Sequence, residues 1–308
     1  MTYSLRAWPG PLKKTLFCFW AFGIVLICAV PDAIAQKCPT RLGSEFSEEK
    51  FLVIAHIHPS DNFPDNTFSA FQEALSVGKA NALEINLFLL DDGRAALSGD
   101  GNPLKPGSGE SVATFHEFFE WATRQNRLQL VLVNLKIPIE ENHRAPVLMG
   151  EVKRVIDGPH HSPHFQFVFS ASHREVIKAV RNKFNEYLFS YDQEIPPKGI
   201  INYNRFTTVP KAMNFRNDFA GIGLPVRERI SSGTAPDPWL VYLHVLTLDF
   251  RIRDNYKKST SKYIKIISRT FNDEKKIRCL INLGVNGIVT DKPERLRQIA
   301  LDMGKKVD

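Results

Sequence analysis

Apolar runs of strand length alternate with amphipathic stretches along most of this 308-residue chain, and that alternation is what most restricts its fold. Strand-like runs fall at 51–58, 82–89, 129–136, 165–170, 187–190, 220–224, 264–270 and 287–290, with a short extra one at 94–97. Between them, Pro64 and Asn66-Thr67 open a helix whose Phe68, Phe71, Ala74 and Leu75 share one face, ended at Gly78. Thr114-x-x-Glu117 reads as a capping box before Phe115, Phe118, Phe119 and Ala122. A further helix is predicted at 273–283, stopped by Gly284, and a last one after a second capping box, Asp291-x-x-Glu294, ending at Gly304. Helices within 196–254 are not assignable from the pattern.

Strands this apolar have no wet face, so they belong to a parallel sheet covered by helices. Eight such units predict an α/β fold, a (β/α)8 TIM-type barrel. A doubly wound open sheet is the alternative, but no Gly-rich dinucleotide turn follows the first strand. A composition of 43% hydrophobic and 24% charged residues is globular and excludes a disordered or fibrous chain.

Arg6, Lys13 and Lys14 precede an apolar run at 15–30, then Pro31 and Ala33-Ile34-Ala35. This order predicts a signal peptide over 1–35, a linker over 36–50 and a barrel over 51–304. An uncleaved anchor is the alternative, although the apolar run is shorter than the roughly 20 residues that span a bilayer. A secreted or periplasmic protein is expected, with no transmembrane span after processing. The net charge of +7 falls to +5 without the leader, which carries three cations and Asp32. Spread along the chain, so small a surplus argues against a nucleic-acid partner. Cleavage leaves Cys38 and Cys279, either as one bridge or as a buried Cys279 and a loose terminal thiol.

Side chains two apart on a strand share a face. Three strand ends each carry such a polar pair: His56 with His58, Glu84 with Asn86, and Asn134 with Lys136. In a barrel all three lie at the C-terminal rim, where sites are built. Imidazoles to move protons, a carboxylate with amide oxygens for a hard cation, and an ammonium against a phosphoryl oxygen suit a phosphate ester. Taken singly, each pair also reads as a hydrogen-bonded polar strand end.

The same residues resemble those of the glycerophosphodiester phosphodiesterase family. Ile54-Ala55-His56, Pro64-Asp65-Asn66-Thr67-Phe68-Ser69-Ala70-Phe71, Glu84-Ile85-Asn86 and Leu90-Asp91-Asp92-Gly93 are similar to its A-H-R-G, P-E-N-T-x-x-A-F, E-x-D and K-D-G motifs. Thr270-Phe271-Asn272-Asp273 and Gly284-Val285-Asn286-Gly287-Ile288-Val289-Thr290-Asp291-Lys292-Pro293 are similar to W-T-V-N-D and G-V-D-G-I-x-T-D-x-P. The resemblance implies a barrel of the PLC-like phosphodiesterase architecture, acting on a small phosphodiester or lipid head-group ligand. It implies two catalytic His residues and a divalent cation, calcium or magnesium.

On this chain His56 matches the first His, Glu84 the first metal carboxylate, and Lys136 the Lys of an E-x-K strand. Asn86 and Asn134 stand where the family has carboxylates, Ile57 where it has Arg, Gly99 where it has the second His, and Arg269 where it has Trp. The expected site is therefore catalytic His56, His58 and Lys136, substrate-binding Arg269 and Asn134, and metal-binding Glu84 and Asn86. His58 shares a face with His56 and is the substitute for the missing imidazole; Asp65 and Asp100 are further candidate ligands. Such a site implies either phosphoric diester hydrolysis with impaired activity or a silent barrel that binds a phosphorylated or sugar-like ligand.

Overall fold

Parallel strands β1 (Leu52–Ala55), β2 (Ala82–Leu89), β4 (Leu130–Leu135), β5 (Gln166–Ser170), β6 (Leu188–Glu194), β7 (Phe219–Gly223), β8 (Lys265–Arg269) and β9 (Gly287–Thr290) pair in succession. The ring closes where β1 pairs with both β2 and β9. A short β3 (Ala95–Leu97) runs antiparallel to the far end of β2. The computed structural model describes residues 38–39, 50–56, 63, 66–97, 112–159, 163–171, 173–194, 207–214, 217–223 and 238–307. The barrel lies within the unit Thr40–Asp308.

The helices that cover it are α1 (Phe68–Ser76), α2 (Phe115–Ala122), α3 (Ala145–Ile156), α4 (Arg174–Arg181), α5 (Val209–Asn214), α6 (Pro238–Thr260), α7 (Glu274–Leu283) and α8 (Pro293–Asp302). Their starts follow local chemistry. Thr67 caps α1 by accepting from the Ala70 N–H, and Thr114 and Glu117 form the predicted reciprocal capping box on α2. Asp273 caps α7, and Gly284 ends it in the left-handed conformation, φ 94°. The second predicted capping box is not formed. Helix α8 begins at Pro293 with Lys292 as an N-cap that makes no side-chain bond, because the Asp291 carboxylate is engaged by His56 at the end of the neighbouring strand.

Inside the ring, Leu52, Ile54, Ala82, Leu130, Leu132 and Val168 pack with Phe219, Ile267 and Val289. Each of these side chains larger than alanine contributes about 1.5–3 kcal/mol by leaving water. The outer faces of the strands meet aromatic rings from the helices. Phe167 of β5 lies 5.7 Å from Phe115 and 6.2 Å from Phe119 of α2, while Phe71 of α1 meets Phe118 edge-on at 5.5 Å.

The base of the barrel is sealed by one amide. Buried Asn81 accepts from the Val53 N–H at 2.8 Å and donates to the carbonyls of Phe51 and Val307 at 3.0 and 2.6 Å. It thereby pins the start of β1 to the chain's C-terminal segment. Cys279 is buried on α7, and both it and Cys38 are disulfide-bonded.

The stretch 196–254 supplies α5, β7 and most of α6. Asp249 of α6 accepts from Thr208 N, Thr208 Oγ1 and Val209 N, each at 2.9 Å, and so caps α5 from a neighbouring helix. Arg253, 1% exposed, stacks over Phe250 and Tyr263 and donates to the Gly284 carbonyl. Among the described residues no helix is long and apolar enough to cross a membrane.

Candidate active site at the barrel mouth

Two residues beyond the inward-facing Ile54, Ala82, Leu132, Val168, Ile267 and Val289 stand His56, Glu84, Asn134, Ser170, Arg269 and Asp291. By strand alternation these too face inward, towards the C-terminal end of the ring. The ladders continue into it: His56 N–H donates to the Thr290 carbonyl at 2.9 Å, and Lys136 N–H to that of Leu87 at 2.9 Å. Asn86 and Lys136 occupy the next inward positions of β2 and β4. Six of the seven expected residues thus reach one mouth. His58 lies outside the described residues, as do Asp65, Gly99 and Asp100.

On one side of the mouth His56 Nδ1 lies 2.8 Å from Asp291 Oδ1. A carboxylate only accepts, so Nδ1 carries the hydrogen and Nε2 is the acceptor nitrogen of the neutral ring. Asp291 is itself held. Its Oδ2 accepts from Asn272 Nδ2 at 2.6 Å, while Asn272 Oδ1 accepts from Thr290 Oγ1 at 2.8 Å and Asp291 N at 3.0 Å. With donors on Oδ1, the Asn272 amide has only one satisfactory orientation. Asn272, Asp291 and His56 form a relay of fixed geometry built from the ends of β8, β9 and β1.

On the other side lies an ion-pair cluster that the sequence reading did not assemble. Arg269 Nη1 bonds Glu84 of β2, and Nη2 bonds Asp192 of β6 and Ser170 Oγ of β5, the last at 3.2 Å. Asp192 also accepts from Ser190 Oγ at 2.5 Å. Burial works against the guanidinium's charge, but the Asp192 and Glu84 carboxylates outweigh it and hold its pKa above the ordinary arginine value. Glu84, expected as a metal ligand, gives one oxygen to Arg269; its Oε2 is buried with no partner among the described residues.

Two backbone features make the cluster possible. Gly221 pairs with Asp192 across the β6–β7 ladder, and a Cβ there would overlap the Asp192 carboxylate. Immediately after Arg269, Thr270 takes φ 34°, a conformation that β-branched residues rarely adopt. The turn carries Phe271 onto Trp239 and Tyr242 at 5.6 and 5.2 Å, under the rim.

Asp192 was legible by the rule that found the others. Ser190 and Asp192 are a polar pair two apart at a strand end, but the apolar pattern of β6 stops at Ser190.

Among the described residues the donor set does not fit a divalent cation. A hard cation takes six to eight oxygens, several of them charged. Here the amides Asn86 and Asn134 are neutral, and the two carboxylates share a guanidinium. A divalent ion beside Arg269 would meet a repulsion of about 8 kcal/mol at roughly 4 Å for an effective dielectric of about 20. Among the described residues no three His, Cys, Asp or Glu side chains converge as ligands.

No family model matches the chain. The human lysophospholipase D GDPD1 is 22% identical over 299 residues, which cover 87% of this chain and 92% of that protein. An Oleispira antarctica phosphodiesterase, solved with the product sn-glycerol-3-phosphate, superposes with a TM-score of 0.56 and 15% identity over 81% of this chain and 96% of its own. A glycerophosphodiester phosphodiesterase from Parabacteroides distasonis superposes with a TM-score of 0.55 and 14% identity, covering 83% and 100%. These structures share the (β/α)8 barrel.

Proposed function

We propose, from the premise that the chain is a divergent member of the glycerophosphodiester phosphodiesterase family, that its barrel mouth hydrolyses a phosphoric diester. The substrate class is a glycerophosphodiester or a related head-group ester, in keeping with the product bound by the Oleispira antarctica relative. The observation that carries the reading is the 2.8 Å bond from His56 to Asp291, with Asn272 behind it. A histidine held in one tautomer by a buttressed carboxylate is the arrangement proton transfer requires.

In the reaction a P–O bond forms to an incoming water oxygen and the P–O bond to the head-group alcohol breaks. The proton lost by the water ends on the departing oxygen, and His56 Nε2 moves it. Lys136, on the inward register of β4, faces the charge of the phosphoryl oxygens. In the relatives' chemistry a divalent cation would add Lewis-acid polarisation, but the described residues of this mouth do not fit one. Residues 1–35 would export the chain, and 51–304 would fold as the barrel.

The test is turnover of glycerophosphocholine and a chromogenic phosphodiester by the purified full chain. Hydrolysis lowered about 10²-fold or more by His56→Ala supports the reading. Binding of sn-glycerol 3-phosphate with no hydrolysis by the parent chain replaces it with a phosphate-binding barrel.

A further inference from the structure

We propose that Arg269 is the resident cation of this mouth, so that the site takes a phosphate-bearing ligand without any metal ion. The proposal rests on the reading of the mouth as a phosphoester site and specifies how that site handles negative charge. The guanidinium reaches across the ring from β8 and is held from three other strands, by Glu84, Asp192 and Ser170. Its place between the two carboxylates is the place a metal ion would need, and the two cannot share it.

The space is built around the arginine. Gly221 leaves room for the Asp192 carboxylate, which would otherwise be displaced from Nη2. Asn86 and Asn134, on the same inward faces, add oxygen atoms but no charge. Arg269 offsets one of the two charges of Glu84 and Asp192, and Lys136 lies on the same inward register, so an incoming phosphate meets less negative charge than the carboxylates alone would present. Three contacts do not exhaust the five N–H donors of a guanidinium, and 17% of the Arg269 side chain reaches solvent. The Oε2 of Glu84, which has no partner among the described residues, supplies an acceptor beside it for a hydroxyl on the same ligand. A charged donor fork with an adjacent buried acceptor suits a phosphate carried on a hydroxylated alcohol, such as a glycerol phosphate.

Two measurements on the full chain test this. The first is a Mn2+ titration followed by electron paramagnetic resonance. The second is calorimetric binding of inorganic phosphate and of sn-glycerol 3-phosphate, in EDTA and in calcium. The expected results are no tight Mn2+ site, equal ligand affinity in the two buffers, and affinity lowered at least about tenfold by Arg269→Gln. Arg269→Ala, which vacates the space between Glu84 and Asp192, is expected to acquire Mn2+ binding.

A Mn2+ site in the parent chain that Glu84→Gln abolishes overturns the proposal. So does ligand binding that EDTA removes and calcium restores, or the failure of both probes to bind in either buffer. Both measurements on the parent chain stand whether or not an arginine variant folds. Turnover assayed alongside separates the two readings. Metal-independent binding without hydrolysis removes the hydrolase and keeps Arg269 as the cation. Hydrolysis that requires added calcium does the reverse.

Discussion

Gly221 and Asp192 face each other across the β6–β7 ladder, and the carboxylate of one fills the volume a side chain on the other would need. Gly221→Ala therefore pushes Asp192 away from Arg269 and leaves a buried guanidinium with one carboxylate in place of two. The expected cost is about 1–3 kcal/mol of unfolding free energy, read by urea denaturation. An unchanged midpoint would mean that the cluster tolerates the displacement.

Asp291→Asn keeps the shape of the relay but exchanges an acceptor for a group that also donates. It removes the charge that fixes the His56 ring in one tautomer. The expected result is a fall in kcat of about 10²-fold or more, with KM little moved. Asn272→Ala, which touches His56 only through Asp291, should cost less in kcat than Asp291→Asn. A larger loss from Asn272→Ala would contradict the order of the relay.

Burial pushes the Asp249 carboxyl up to about 6 from the ordinary 3.8, against the opposing bonds from Thr208 and Val209 and the charge of Lys211. A folded-state pKa raised in this way means that the folded chain holds the proton more tightly. The extra stability is fully present below about pH 3.8 and is lost as the pH rises through about 6. Asp249→Asn does not titrate. The stability of the parent relative to this variant should therefore fall by up to about 3 kcal/mol between those limits. Urea denaturation of both chains across the range checks it, and a flat difference would count against the burial argument.

Asn81 satisfies one backbone donor and two backbone acceptors that no water can reach. Asn81→Ala is expected to cost about 2–4 kcal/mol. Asn81→Asp is expected to be at least as harmful, because a carboxylate cannot donate to the Phe51 and Val307 carbonyls. Thermal denaturation of the two variants, compared near neutral pH and at acid pH, should show the aspartate variant recovering as it takes up a proton.

The barrel was legible because its strands announce themselves. β2 and β9 fall at the expected residues, and the other main strands lie within a few residues of them. The rule that polar residues two apart at a strand end face the mouth brought out His56, Glu84, Asn86, Asn134 and Lys136. It did not bring out Asp192, because the mouth end of β6, Ser190-Tyr191-Asp192, reads as the close of a strand. Asp291 has the local form of a helix cap, since Asp-x-x-Glu stands before an apolar run. Its actual partner lies 235 residues away, beyond the reach of any local pattern. Helix α6 escaped notice for a related reason. Its core-facing side carries Asp249 and Arg253, so the apolar stripe that betrays a packed helix is interrupted where it is buried deepest.

The earliest strand of the ring hydrogen-bonds to the latest, β1 to β9. A ribosome that has emitted every residue up to the end of β8 has therefore made a staved cask with one stave missing. Both flanking edges then present unsatisfied amide and carbonyl groups, the kind of border at which foreign strands attach. Nascent chains of this protein should need shielding until β9 emerges, since synthesis proceeds at only about 5–20 residues per second.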